Sequence, residues 1–175
     1  MEVFEPLEEQ PTTSDALLST GRTCSLLLLL VLLAWGTGQP FLFPSLGPSA
    51  YALAVTPSAA TSQWQRALGG HFFGVVSGLL AYHTIAPGLS VTKIPPAMSM
   101  PGLQLVAAGF LSVGLTSFAM LRTDLRHAPA CATTLIVGLG LLTSALEAGI
   151  ILFAICVLVV ADHVLPTTGV EEPPQ

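Results

Sequence analysis

The 175-residue chain is 52% hydrophobic and only 9% charged, with a mean hydropathy of +0.76. A soluble domain carries roughly 25% charged residues, so this chain cannot coat a water-facing surface, and the bilayer is the natural solvent for an all-α, multi-pass bundle. Of the acids behind the net charge of −5, Glu2, Glu5, Glu8, Glu9 and Asp15 precede the first apolar run and Glu171 and Glu172 follow the last; with no basic patch, nucleic acid is excluded as a partner.

In chain order, residues 1–22 read as an acidic polar tail, expected to be mobile. Residues 23–38 are the first span, dense in leucine. It is taken as a retained anchor, because acids and a lone Arg22 precede it and no Ala-x-Ala site follows. Residues 39–56 are apolar but interrupted by Pro40, Pro44 and Pro48. Proline removes a backbone donor and clashes with the preceding turn. The segment is therefore expected to hold only a short helix from Pro48 to about Val55. Such a helix rises about 12 Å, less than half of the ~30 Å hydrocarbon core.

A polar turn over 57–65 leads to residues 66–86, predicted as the clearest spanning helix. A proline-rich loop over 87–101 carries Lys93, residues 102–121 form another span, and 122–128 a charged turn. Residues 129–146 are apolar, with Gly138 and Gly140 weakening their end, and 148–163 form the last span before a polar tail over 166–175. One transmembrane domain over 23–165 results, with halves at about 23–86 and 102–165.

A shift of 81 residues places Pro48 on Pro129, Ala50 on Cys131 and Arg66 on Glu147. Each half then reads as span, broken segment, span, the arrangement of an inverted repeat. Basic residues concentrate on the cytoplasmic side of membrane proteins. Six crossings with cytoplasmic termini place Arg22, Arg66, Arg122 and Arg126 inside and only Lys93 outside, whereas four spans divide the five cations two against three. Six crossings are therefore expected. The membrane itself stays open between a bacterial-type inner membrane, the default, and an organelle membrane.

A helix that begins inside a membrane presents free N–H groups and the positive end of its dipole, which favour a small anion. In the first break Gly47 permits close approach, Ser45 and Ser49 add hydroxyls, and the Ala50 amide lies in the first turn. In the second, the Cys131 and Ala132 amides are expected to be exposed beside Arg126 and His127. For His127 an anion or proton site competes with an interfacial cap, and Arg126 doubles as a topology signal. His71 is ionisable within a span, a functional candidate that equally could reach interfacial water. Gly69, Gly70, Gly74 and Gly78 form a stripe suited to close helix packing. Glu147 is either a coupling carboxylate or a charge at a helix start.

His71 and His83 are twelve residues apart, about 18 Å along a helix, so one metal ion cannot bind both. No HExxH, GxSxG, acid pair or Walker-type loop occurs. No metal or cofactor is expected, and an enzyme is disfavoured. Cys24, Cys131 and Cys156 read as small buried apolar side chains.

The segments Pro44-Ser45-Leu46-Gly47-Pro48-Ser49-Ala50, Arg66-Ala67-Leu68-Gly69-Gly70-His71 and His127-Ala128-Pro129-Ala130 resemble the HPP family of small integral membrane proteins. The family's His-Pro-Pro motif departs here at Ala128. The resemblance implies four spanning helices and a transport role, with nitrite as the associated substrate of some members. The functional expectation is thus a carrier or channel-like protein for a small anion held at half-helix N-termini near midplane. Homo-oligomers are plausible partners because short segments bury little area, and a non-transporting scaffold is the alternative.

Overall fold

A computed structural model describes residues 11–165. Among them are six α-helices: α1 (Thr13–Thr37), α2 (Leu46–Val55), α3 (Trp64–Ile85), α4 (Met100–Thr123), α5 (Ala130–Gly138) and α6 (Ala145–Val164). The acidic stretch expected over residues 1–10 and the polar tail expected over 166–175 lie outside the described residues.

Helix α1 begins ten residues before the expected span. Thr12 and Asp15 close a capping box there, each side chain bonding the other's backbone N–H. It stops at Gly38, whose φ of +65° is left-handed. Only Arg22, Leu26 and Leu30 are buried along it. Their spacing of four makes one narrow stripe, flanked by half-buried Leu27 and Leu33, while Leu17, Leu18, Leu28, Leu29 and Leu32 are exposed.

The proline-broken segments fold as anticipated into short helices, α2 with Pro48 in its first turn and α5 immediately after Pro129. The expected apolar run to residue 146 is cut after Gly138 by a turn at Gly140 (φ +75°). Helix α6 then starts afresh at a Ser144–Glu147 capping box, in which Glu147 accepts from the Thr143 and Ser144 amides. Glu147 thus marks a helix start.

Among the described residues, three helices are long and apolar enough to cross a membrane: α1, α4 and α6. The expectation that α3 would be the clearest span is corrected. At 22 residues it is about 33 Å long, but Gly, Ser and His dilute its apolar content. Those residues include buried Gly70, His71, Gly74, Ser77 and Gly78, which face protein. Helix α3 is the axis of the bundle and packs on α4, α5 and α6. The cysteines also depart from expectation: Cys24 and Cys156 are exposed and Cys131 is half-buried, a position open to thiols because the surrounding medium is lipid.

Contacts at the helix ends fix the path of the chain. Arg22 of α1 pairs with Asp162 near the end of α6 at 2.7 Å. Arg66 at the start of α3 pairs with Asp124 just after α4 at 2.6 Å. Trp64 and Leu68 share a groove with His163 and Val164. The N-terminal half of α1, the start of α3 and the ends of α4 and α6 therefore lie toward one face. On the opposite face His83 Nε2 donates to the Thr143 carbonyl at 3.0 Å, and the Val91 amide donates to the Leu139 carbonyl at 3.0 Å. The stretch containing α2 must carry the chain back to the first face, and the stretch containing α5 must carry it to the second.

Candidate functional site

The two broken segments meet. Ser45, the residue before α2, and Ser49 in its first turn are completely buried, as are His71 of α3 and Thr133 of α5, while His127 is 1% exposed. Ser49 Oγ lies 2.9 Å from His71 Nε2 and 3.1 Å from His127 Nε2. Ser49 Oγ also lies 3.1 Å from the Ser45 carbonyl. His71 Nδ1 is 2.7 Å from Thr133 Oγ1, and Thr133 Oγ1 donates to Ser45 Oγ at 2.8 Å. His127 Nδ1 donates to the Thr61 carbonyl at 2.8 Å. The two imidazoles sit 5.3 Å apart between ring centres, tilted by 53°. They meet through Ser49 rather than by stacking.

The glycine stripe makes this junction possible. A Cβ at Gly70 would stand 2.9 Å from His127 Cβ, at Gly74 2.8 Å from the Ala130 carbonyl oxygen, and at Gly78 2.7 Å from Val137 Cβ. Real Cβ atoms do not approach so closely, so α5 and its leading turn lie directly on the bare face of α3. At Gly69 the neighbour is Leu125 Cδ1, at 2.5 Å from such a Cβ, the far end of a side chain that can turn away. A second buried pair, Thr116 Oγ1 with Thr134 Oγ1 at 2.9 Å, ties α4 to α5.

The backbone part of the anticipated site is different. The Cys131 amide donates to the Ala128 carbonyl and the Ala132 amide to the Pro129 carbonyl, at 3.0 and 3.1 Å. The turn that Pro129 initiates closes on itself, and these donors are engaged locally. Ala50 is fully buried in the hydrophobic cluster with Leu46 and Leu53. Gly47 has nothing within 4 Å of where a Cβ would stand. Arg126 lies outside the junction, exposed, with Nε and Nη2 on Asp124 at 2.9 and 2.6 Å. The candidate site is thus built of side chains: Ser45, Ser49, His71, His127 and Thr133.

Thr133 and the Thr61 carbonyl escape a motif-based reading. Thr133 did carry a signal, since Thr133-Thr134 are the only hydroxyls inside an otherwise apolar short helix, and polar groups at membrane depth need partners. Thr61 carried none, because only folding brings its carbonyl 66 residues away to His127.

This architecture defines an integral, multi-pass helical membrane protein with a buried polar junction between two interrupted helices. The family described as "HPP, transmembrane region" matches residues 8–167, and the chain belongs to that family. No curated protein and no solved structure matches it.

Proposed function

We propose that the protein is a membrane carrier or channel-like transporter for a small monovalent anion, with the Ser45–Ser49–His71–His127–Thr133 junction as its substrate site. The observation that carries this reading is the convergence of two proline-initiated half-helices on one set of buried hydroxyl and imidazole groups. Buried polar groups are costly in a membrane and accumulate where a pathway needs them. The helix starts bring the positive ends of two backbone dipoles toward the same region. The polar donors of the junction now satisfy one another, which describes a closed state. An anion enters by exchanging for these contacts when α2 shifts against α3 and α5. Nitrite, nitrate and formate have the size and charge that such a junction accommodates.

The reading extends to topology. The segments α1–α2–α3 and α4–α5–α6 form two halves of opposite orientation, with both termini on the cytoplasmic face of a cell membrane, because Arg22, Arg66, Arg122 and Arg126 share one side. It contains no catalytic role.

The mutual pairing of all the junction groups also suits a rival reading, a non-transporting scaffold in which the polar cluster only fixes α2 to α3 and α5. Flux into proteoliposomes separates the two. The native chain should admit at least one of nitrite, nitrate and formate above protein-free vesicles, and His127→Ala should lower the rate at least roughly tenfold, the loss expected for about 1.4 kcal/mol of transition-state stabilisation. Vesicles impermeable to all three would leave the scaffold.

A further inference from the structure

We propose that a phospholipid of the first-face leaflet binds in the seam between α1 and α6, with its phosphate on Arg22 and an acyl chain lying along α6. The Arg22 side chain is 3% exposed and gives Asp162 only one of its nitrogens. Nη2 bonds Asp162 Oδ1 at 2.7 Å and the Asp162 carbonyl at 3.4 Å. Nε and Nη1 are buried and have no partner among the described residues. A guanidinium carries five N–H donors, and the three on these two nitrogens go unanswered. Buried donors on a charged group are costly until an acceptor meets them.

The acids of the described residues are already engaged. Asp15 and Glu147 close capping boxes, and Asp124 and Asp162 are in ion pairs. The missing acceptor therefore comes from outside the described residues. At the end of a membrane-crossing helix the bilayer supplies one, the phosphate of a lipid headgroup, and guanidinium matches phosphate in both charge and geometry. The long arginine stem lets the charged head turn toward the interface while its methylenes stay in apolar surroundings.

The apolar surface below Arg22 suits an acyl chain. A groove of about 380 Å³ runs between Leu29 of α1 and Phe153, Val157 and Ala161 of α6. Arg22 precedes Leu29 by two turns, about 10 Å nearer the first face and on the same side of α1. Asp162 directly follows Ala161. The ion pair thus stands at the first-face end of the groove. From Phe153 to Val164 the α6 wall rises about 16 Å, the depth of one leaflet in a ~30 Å core. Cys156, Val160 and Val164 form a ridge, and a second groove of about 350 Å³ lies on its other flank, bounded by Trp64, Leu68 and His163. Two chains of one lipid can straddle this ridge, beneath a headgroup held between Arg22 and Trp64, a residue type at home in the interface. Helix α1, which buries only Arg22, Leu26 and Leu30, gains a wedge that ties it to α6.

Delipidated full-length protein in detergent tests this. Dioleoyl phosphatidylglycerol should raise the thermal midpoint, and native mass spectrometry should count one bound phospholipid per chain. Dioleoylglycerol, which has the chains without the phosphate, and inorganic phosphate, which has no chains, should leave the midpoint unmoved. In Arg22→Met, Asp162→Leu, with apolar side chains in place of the pair, the half-saturating lipid concentration should rise at least roughly tenfold, as loss of one charge-assisted hydrogen bond implies. Cys156→Trp, which fills the grooves and leaves the ion pair alone, should do the same. An equal rise with dioleoylglycerol would reduce the site to apolar surface, and an equal rise with inorganic phosphate to a free-anion site; either overturns the proposal. So does binding unaffected by the double replacement or by the tryptophan. Absence of any rise with phospholipid also overturns it and gives the acceptor to an acid at the chain's own ends or on a second copy.

Discussion

Ser49 is the one side chain that touches both histidines, and its loss has two separable consequences. Ser49→Ala strands two buried imidazole nitrogens, which should lower stability by roughly 1–3 kcal/mol, read as an earlier thermal midpoint in detergent. Flux should fall further than stability does, because the protein still folds on its apolar core. The glycines make a sharper contrast. Gly74→Ala forces a Cβ against the Ala130 carbonyl oxygen, which belongs to backbone and cannot step aside. A destabilisation of about 1–3 kcal/mol is expected, whereas Gly47→Ala, with open space around it, should be close to neutral. Equal effects in the two thermal melts would contradict the packing described. The ion pairs at the first face respond to pH in one direction. Asp124 has its carboxyl held below the usual 3.8, first by the hydrogen bond from the Arg126 side chain and also by the nearby Arg66 and Arg126 charges, against an opposing desolvation effect. A depressed carboxylate stabilises the fold above its ordinary value and loses that contribution as pH falls through the lower, folded value. The tie between α3 and the turn after α4 should therefore be fully present at neutral pH, weaken only below the usual 3.8 and be lost as pH falls through the lower folded value, and Asp124→Asn should flatten that acid limb of the melting curve.

At the scale of elements, the sequence carried the interruptions and lost the ends. Proline at 40, 44, 48 and 129 announces short helices by chemistry that no packing can override. The start of α1 was missed because an acidic stretch resembles a disordered tail by composition, while the Thr12–Asp15 box is a matter of two particular side chains. The rank of α3 was misjudged for the opposite reason. A helix surrounded by other helices can include His71, Ser77 and four glycines, and its lower apolar content reports centrality. The junction was half legible: Ser45, Ser49, His71 and His127 are visible as polar or ionisable groups in apolar stretches, but the amides of Cys131 and Ala132 looked free only because a proline turn's internal bonds are invisible in sequence. Helix α1 gives an element-scale prediction. It is held by Leu26 and Leu30 and by the Arg22–Asp162 pair, in which Arg22 Nε and Nη1 are buried and have no partner among the described residues. Asp162→Asn leaves a buried guanidinium uncompensated and should cost about 3 kcal/mol or more, whereas the double replacement Arg22→Met, Asp162→Leu should recover most of that stability. A double variant no more stable than Asp162→Asn would mean that the pair does more than neutralise a charge.

At the scale of the whole molecule, the two halves differ where the expected repeat compares them. The shift that superimposes Pro48 on Pro129 sends Gly70 and Gly74 of α3 to Ile151 and Ile155 of α6, both fully buried. Bare glycine lets α5 lie against the α3 backbone, whereas Ile151 and Ile155 belong to the hydrophobic cluster that α6 shares with Leu46, Ala50 and Leu53 of α2. The α3–α5 contact is therefore close and the α2–α6 contact looser, and on the proposed transport reading α2 is the element that shifts. Four helices have 20 or more residues, and of these α3 alone falls short in apolar content; on the proposed topology the two short helices complete the passage between faces. This arrangement has a direct test in a cysteine-free background with single cysteines at Ser14, Ser58 or Thr92, all exposed positions. Six passages require Ser14 and Ser58 to react with an impermeant thiol reagent from the same face and Thr92 from the other, with the first face cytoplasmic by its arginines. A four-span chain would separate Ser14 from Ser58 and place Thr92 with Ser14. That outcome would take α2 and α5 out of the membrane path, and with them the meeting of the two proline breaks at Ser49 as a route through the bilayer.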